Sequence, residues 1–459
     1  SGSPSRVRVL LDDATTLSKL GDERFDLIVT DPPYRDDVPY AELSDFYYVW
    51  LKRALSDARE VYGVVRLVPR FYREAFFDEF GNEVEAQWRV YASREVSESV
   101  GRREVFGSDV GSFEWFKRLL RDSFKAMASR LKDNGVIVTF YAHTSPEAWE
   151  ALLEAGWLGA GMRISAAHSV VTESLQRVTA RGKASLDTSI IAVWRRGVSG
   201  DALAGEVYAK AVNICRDFAF RARENSYRGV DLFVATLGCV MSQFTQYSRV
   251  LGAVEAGKQG IDVLVKKFVY PATAEAIAKS LGALAAEARL SPVSLFYLLA
   301  KSLAERSRVA RRSMDRSTLT IFLIGTRTSL EDLERLRIIS RDGDRITLME
   351  PRAGDDPRRS LEQTLAERDV RMSPPTIRCA VDALHVLESL AVTLPREDFL
   401  KRYNELRTSH PQHVEEAITL AKILVAVLPE NEVEKRAIDS MLKALGIEPR
   451  KGLETYLKR

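Results

Sequence analysis

Cysteine and histidine are scarce in this sequence, three and five among 459 residues. Cys215, Cys239 and Cys379 are widely spaced, a pattern that predicts neither a disulfide framework nor a zinc site. A reducing, cytoplasmic setting is the default for such a chain. No apolar run reaches the length of a membrane span, and no signal peptide is visible. An excess of charge of one sign is also lacking. The net charge of +3 leaves no global field, so nucleic-acid binding would have to come from local patches. No internal repeat is found. What is present, 46% hydrophobic and 29% charged residues, is ordinary for a globular protein of two or three domains.

The most informative stretch is Phe25-Asp26-Leu27-Ile28-Val29-Thr30-Asp31-Pro32-Pro33-Tyr34. Its apolar, β-branched run predicts a buried strand. The two prolines end that strand, because neither can donate to a sheet ladder. Residues just past the C-terminal end of a strand in an open α/β sheet face the ligand crevice. The residue types suit a flipped base. The Asp31 carboxylate only accepts hydrogen bonds when ionised, and the Pro32 carbonyl offers a second acceptor to an exocyclic amino group. Tyr34 offers a flat face for an extruded base. The plain alternative is a strand that ends in a proline turn.

Along the chain, Val7–Leu11 reads as the first strand, followed by Asp12-Asp13-Ala14, where Asp13 suits a helix cap. Residues 40–55 read as an amphipathic helix, with Tyr40, Leu43, Phe46 or Tyr47, Trp50 and Leu51 on a face expected to join the core. Asp36, Asp37 and Tyr40 follow the tetrapeptide closely and are candidates to shape a base pocket. Residues 56–111 interleave aromatics with Arg66, Arg70, Arg73, Arg89, Arg94, Arg102 and Arg103. This mixture suits phosphates and unstacked bases, or else a mobile insertion. Ser112–Lys132 predicts a helix, Asp133-Asn134-Gly135 a turn, and Val136–His143 a buried strand. Pro146–Ala155 is the next helix, and Ile164–Thr172 and Ser189–Arg195 are the last strands. His143 and Glu173 fall at strand ends on the crevice side.

Gly197–Gly200 reads as a linker, and the remainder is mostly helical. Lys301, Arg306, Arg308, Arg311, Arg312 and Arg316 make the most basic run. A hairpin is expected to follow, with Asp342-Gly343 at its turn. Helices, a basic run and a hairpin over 291–350 fit either a winged-helix-like DNA reader or solvated helix faces beside a structural hairpin.

Asp31-Pro32-Pro33-Tyr34 after an apolar strand resembles the catalytic motif of the amino-directed DNA methyltransferases. The continuation Arg35-Asp36-Asp37-Val38-Pro39-Tyr40-Ala41-Glu42-Leu43-Ser44-Asp45-Phe46-Tyr47-Tyr48-Val49-Trp50-Leu51-Lys52-Arg53 resembles a subgroup: the large prokaryotic adenine-specific DNA methylases with an N-terminal domain of unknown function. The likeness runs through Trp194 and more loosely to about residue 390. It implies an α/β fold with a Rossmann-like class I methyltransferase core over 1–198, interrupted by the insertion 56–111. A mostly α-helical region with a small β-hairpin would occupy 199–459.

The resemblance also implies S-adenosyl-L-methionine as cofactor and DNA as partner. Asp31, Pro32, Pro33 and Tyr34 would be catalytic, and Asp13 and Asp31 would touch the cofactor. Tyr34, Asp36, Tyr40, His143 and Glu173 would bind substrate, and no metal is called for. The family's Phe-x-Gly-x-Gly turn is missing. Leu237-Gly238-Cys239 and Phe322-Leu323-Ile324-Gly325-Thr326 are nearest, and neither fits. The expectation is therefore the C-terminal portion of such an enzyme, or half of a split one, with the first strands missing. A chain or upstream segment would supply the glycine-rich motif. Other readings are an N4-cytosine DNA or RNA amino-methyltransferase, or a non-catalytic DNA-binding subunit of a modification or defence system.

Overall fold

A computed structural model describes residues 7–33, 35, 38–107, 109–141, 145–171, 188–255, 258–282, 288–306, 311–343, 345–354 and 356–447. The fold is mixed α/β. Contacts divide the chain into two units, 1–139 with 151–162, and 140–150 with 163–459.

In the first unit, β1 (Phe25–Thr30) pairs in parallel with β4 (Leu131–Tyr141), Leu27 opposite Val136 and Thr30 opposite Thr139. Among the described residues, β1 pairs with β4 alone. Leu27 and Val29, which share one face of the strand, are more than half exposed, at 55% and 58%. Asp133-Asn134-Gly135 is a bulge within β4 and not a turn before it, since the register jumps between the Phe25–Leu131 and Leu27–Val136 pairs. A Cβ on Gly135 would sit 3.0 Å from the Phe25 carbonyl oxygen. Helix α5 (Phe113–Ser129) buries Phe116, Leu119, Leu120, Phe124 and Met127 at helical spacing. The Ser112 hydroxyl caps it, accepting from the Trp115 amide.

Strand β1 forms where expected but is not the buried strand expected, since none of Phe25–Thr30 is buried. Two further expectations for this unit fail. Val7–Leu11 is not a strand; it is an exposed segment tied by an Arg8–Glu23 ion pair and a Lys19 bond to the Leu11 carbonyl. It meets no neighbouring ladder, and strand propensity without one is not enough. Helix α1 (Tyr40–Ala54) forms where expected, yet only Ala41 is buried. Tyr40, Leu43, Phe46, Tyr47, Trp50 and Leu51 are exposed, so this face is not core.

The insertion folds as a hairpin, β2 (Ser56–Val61) and β3 (Val64–Pro69), followed by short helices α2 (Arg73–Phe76), α3 (Trp88–Ala92) and α4 (Val100–Phe106).

The second unit holds α6 (Pro146–Leu153), which continues into the first, and the antiparallel pair β5 (Arg163–Val171) and β6 (Thr188–Arg195). Strands β7 (Ser199–Leu203) and β8 (Tyr247–Leu251) pair in parallel across α7 (Ala204–Glu224) and α8 (Gly229–Phe244). Contrary to expectation, Cys215 on α7 and Cys239 on α8 form a disulfide. Their partnership arises from the packing of two helices, which spacing in sequence does not encode. The chain then runs through α9 (Ile261–Leu264), α10 (Tyr270–Ser280) and α11 (Pro292–Leu303).

Strands β11 (Glu305–Arg306) and β12 (Arg312–Met314) lead to α12 (Arg316–Thr326), α13 (Leu330–Arg335) and the hairpin β13 (Ile339–Asp342) and β14 (Arg345–Leu348). Two-residue strands β9 (Val254–Glu255) and β10 (Lys258–Gln259) precede α9. The sheet order β11-β12-β14-β13 is antiparallel throughout. Helices α14 (Pro357–Glu367), α15 (Ala380–Thr393), α16 (Arg396–Ser409), α17 (Pro411–Val427) and α18 (Val433–Ala444) follow.

Lys301, Arg311 and Arg312 of the basic run are turned inward, while Arg316 is exposed. Lys301 is buried against Glu350 and Glu434, Arg311 lies 2.5 Å from Glu367, and Arg312 lies 2.8 Å from Glu350 and 3.0 Å from Glu432. Among the described residues, no helix is long and apolar enough to cross a membrane.

Candidate active site

Asp31, Pro32 and Pro33 leave the C-terminal end of β1, where the chain turns out of the sheet. They border a cavity of about 450 Å³ that runs along β1. Its walls are Ala14, Leu17 and Leu20 on one side and Leu120, Phe124 and Met127 of α5 on the other. Polar groups are few: Thr30, Asp31, Ser123 and Arg130. This size and apolar character suit a ligand site with a small number of orienting polar groups. Tyr34, Asp36, Asp37, His143 and Glu173 lie outside the described residues.

Asp13 stands one residue from the cavity wall, and its carboxylate is already engaged. Oδ1 accepts from the Thr15 amide at 2.9 Å and the Thr15 hydroxyl at 2.6 Å, and Oδ2 lies 3.3 Å from Arg94. The capping geometry is therefore present. Tyr40 opens α1 with an exposed ring.

Sequence reasoning missed how Arg35 and the start of α1 are held. Glu95 reaches back to the start of α1, accepting from the amides of Tyr40 at 3.0 Å and Ala41 at 2.9 Å. Arg102 on α4 is 1% exposed. It donates to Glu42 at 2.9 and 2.6 Å, to Glu95 at 2.6 Å and to the Ala92 carbonyl at 3.2 Å. The Arg102 hydrogen bond holds the Glu42 carboxyl below its ordinary range.

Arg35 has φ of +90°, a region costly for a residue with a side chain. Its carbonyl accepts from the Glu98 amide at 2.8 Å, its Nε donates to Glu98 at 2.6 Å, and its guanidinium lies 4.6 Å from the centre of the Phe113 ring. The insertion thus folds back and fixes the backbone on both sides of residues 36–37. Arg70, Arg73, Arg94, Arg102 and Arg103 all serve internal contacts, contrary to a phosphate-facing role for the whole set. Only the high density of Arg and Glu over 94–103 could have signalled this clamp.

A second cluster has the composition of a metal site. Ligand atoms of His385, Glu388 and Glu434, all buried, lie within 4.8 Å of one another. The arrangement around the imidazole opposes that reading. Nδ1 of His385 lies 2.9 Å from an Arg368 guanidinium nitrogen, which can only donate. Nδ1 therefore accepts, and Nε2 carries the proton toward the Tyr297 hydroxyl at 3.0 Å. A metal-bound histidine normally has the reverse, an N–H pointing at an acceptor. Lys301, 2.5 Å from Glu434, already supplies a cation.

No protein-family model, curated protein or solved structure matches this chain.

Proposed function

We propose that this chain is the catalytic portion of an S-adenosylmethionine-dependent methyltransferase that modifies the exocyclic amino group of adenine in DNA. The observation that carries the reading is Asp31-Pro32-Pro33 at the C-terminal end of a parallel strand, on the rim of the 450 Å³ cavity. This is where an open α/β sheet presents its site.

In this reading the target base leaves the duplex and enters beside β1. The Asp31 carboxylate and the Pro32 carbonyl accept the two amino hydrogens. They hold the nitrogen in place and keep its lone pair available. Tyr34 stacks on the base. The cofactor supplies an electrophilic methyl group, and the chain's own contribution is positioning and electrostatics.

The cofactor fit is partial. The motif end of the cavity offers a wall for it. Asp13 is engaged by Thr15 and Arg94, and the sequence has no glycine-rich turn. A further segment, in the same chain or a partner, completes the site in this proposal. Among the described residues β1 is paired on one side only, and the faces of β1 and α1 are uncovered; these support that, because an unpaired edge is a template for another strand.

The test is Asp31→Asn in the complete, active enzyme. The amide is isosteric and a poorer acceptor, so methyl transfer to DNA falls on the order of 10²-fold or more, with thermal stability nearly unchanged. Wild-type turnover in that variant removes Asp31 from the mechanism.

A further inference from the structure

Hairpin β2–β3 carries two features that cost stability and that no hydrogen bond or ion pair among the described residues offsets. The first is at its tip. Val61 pairs with Val64, so the loop has two residues, Tyr62 and Gly63, at φ of +52° and +77°. Both positions need positive φ, which Asn-Gly adopts readily and an aromatic residue does not. Tyr62 is 100% exposed. Among the described residues it makes no ring contact or hydrogen bond that would explain its presence.

The second feature is Arg59 directly opposite Arg66. Like charges facing each other across a strand pair are destabilising. Both are exposed, and neither has an ion-pair or hydrogen-bond partner among the described residues. By strand alternation they share one face with the valine pair next to the tip, and Glu60 lies on the other face. The nearest acid on the arginine face, Asp57, is taken by Arg70 at 3.6 Å.

An anion between the two arginines removes the repulsion, and a flat apolar partner uses the exposed ring. A nucleic-acid strand provides both: phosphate for the arginines and an unstacked base for Tyr62. We infer that the β2–β3 hairpin is a nucleic-acid-binding arm, in which Arg59 and Arg66 grip the backbone and Tyr62 stacks on a base. The inference rests on the reading above for the identity of the polymer, and it assigns the arm that holds it.

Binding needs neither cofactor nor transfer, so it is measured separately by fluorescence anisotropy. The 459-residue chain is titrated with one labelled DNA sequence as a single strand, a duplex and a duplex with a central mismatch. Three proteins are compared: wild type, Arg59→Ala with Arg66→Ala, and Tyr62→Asn. Asparagine suits the turn better than tyrosine, so Tyr62→Asn keeps its fold and its thermal midpoint.

The double variant should reduce the slope of log affinity against log salt on the duplex by about two. Tyr62→Asn should weaken single-strand and mismatch binding on the order of tenfold, and the perfect duplex less. A wild-type chain that binds none of the three DNAs overturns the inference. So do variants with wild-type affinity and salt slope. If those variants bind like wild type while Asp31→Asn abolishes transfer, only the arm is wrong. If the arm behaves as expected and Asp31→Asn transfers normally, only the catalytic reading is wrong.

Discussion

Burying a guanidinium costs several kcal/mol unless its donors are met. Arg102 meets them with two carboxylates and a carbonyl. The result is a strut from α4 to the first turn of α1, the element that begins just past the motif. Arg102→Met would leave Glu95 nearly buried without a counter-charge and Glu42 a third exposed. Breaking a fully buried pair costs about 3–5 kcal/mol, and partial solvation of Glu42 brings the expected loss to about 2–4 kcal/mol. Arg102→Lys should recover only part of this, since one ammonium cannot serve two carboxylates in a fork. Chemical denaturation of both variants measures it. An Arg102→Met chain as stable as wild type would mean the strut carries no load.

At the scale of elements, α15 and α18 enclose a carboxyl with no visible reason to be charged. Glu388 is buried, and neither of its oxygens has a hydrogen-bond partner. Burial, reinforced by the neighbouring Glu434 charge, pushes its carboxyl well above the ordinary range. The folded state therefore holds a proton that the unfolded chain releases above its ordinary carboxyl range. The stability tied to that proton is complete at low pH and is lost as pH rises toward the folded value.

Glu434 and His385 act in the opposite direction. Burial alone would raise Glu434, but Lys301 and His385 hold it low, while burial lowers His385. Their contributions are present at neutral pH and are lost as pH falls. Glu388→Leu isolates the first effect. The variant should gain stability over wild type, and the gain should grow with pH by at most about 1.4 kcal/mol per unit. Denaturation between acidic and mildly alkaline pH measures the difference. A gap that narrows as pH rises would show that Glu388 is ionised in the fold.

What the sequence revealed follows from how local each signal is. The strand before Asp31 and the α5 stripe are written within a few residues of where they act. The inward turn of Lys301, Arg311 and Arg312 was illegible because their partners Glu350, Glu367, Glu432 and Glu434 lie far along the chain. An amphipathic pattern in 40–55 shows that a face is apolar. It does not say that anything covers it, and here the face is open.

For the molecule as a whole, the open edge of β1, the uncovered α1 face and the trough along β1 all occur within the first unit. A parallel strand normally has both faces covered and a crossover helix for each neighbour. On the reading proposed above, a segment that adds a parallel strand at Leu27 and Val29 would also bring the glycine-rich turn this sequence lacks. The turn would then arrive at the strand ends beside Asp31. Cofactor affinity and closure of the sheet edge should therefore appear together. The 459-residue chain alone is expected to bind S-adenosylmethionine weakly or not at all by calorimetry. Supplying the segment in cis or in trans should restore binding and protect the β1 amides from hydrogen exchange. Tight binding by the chain alone would show that a cradle exists among its own residues, and the requirement for a second segment would fall.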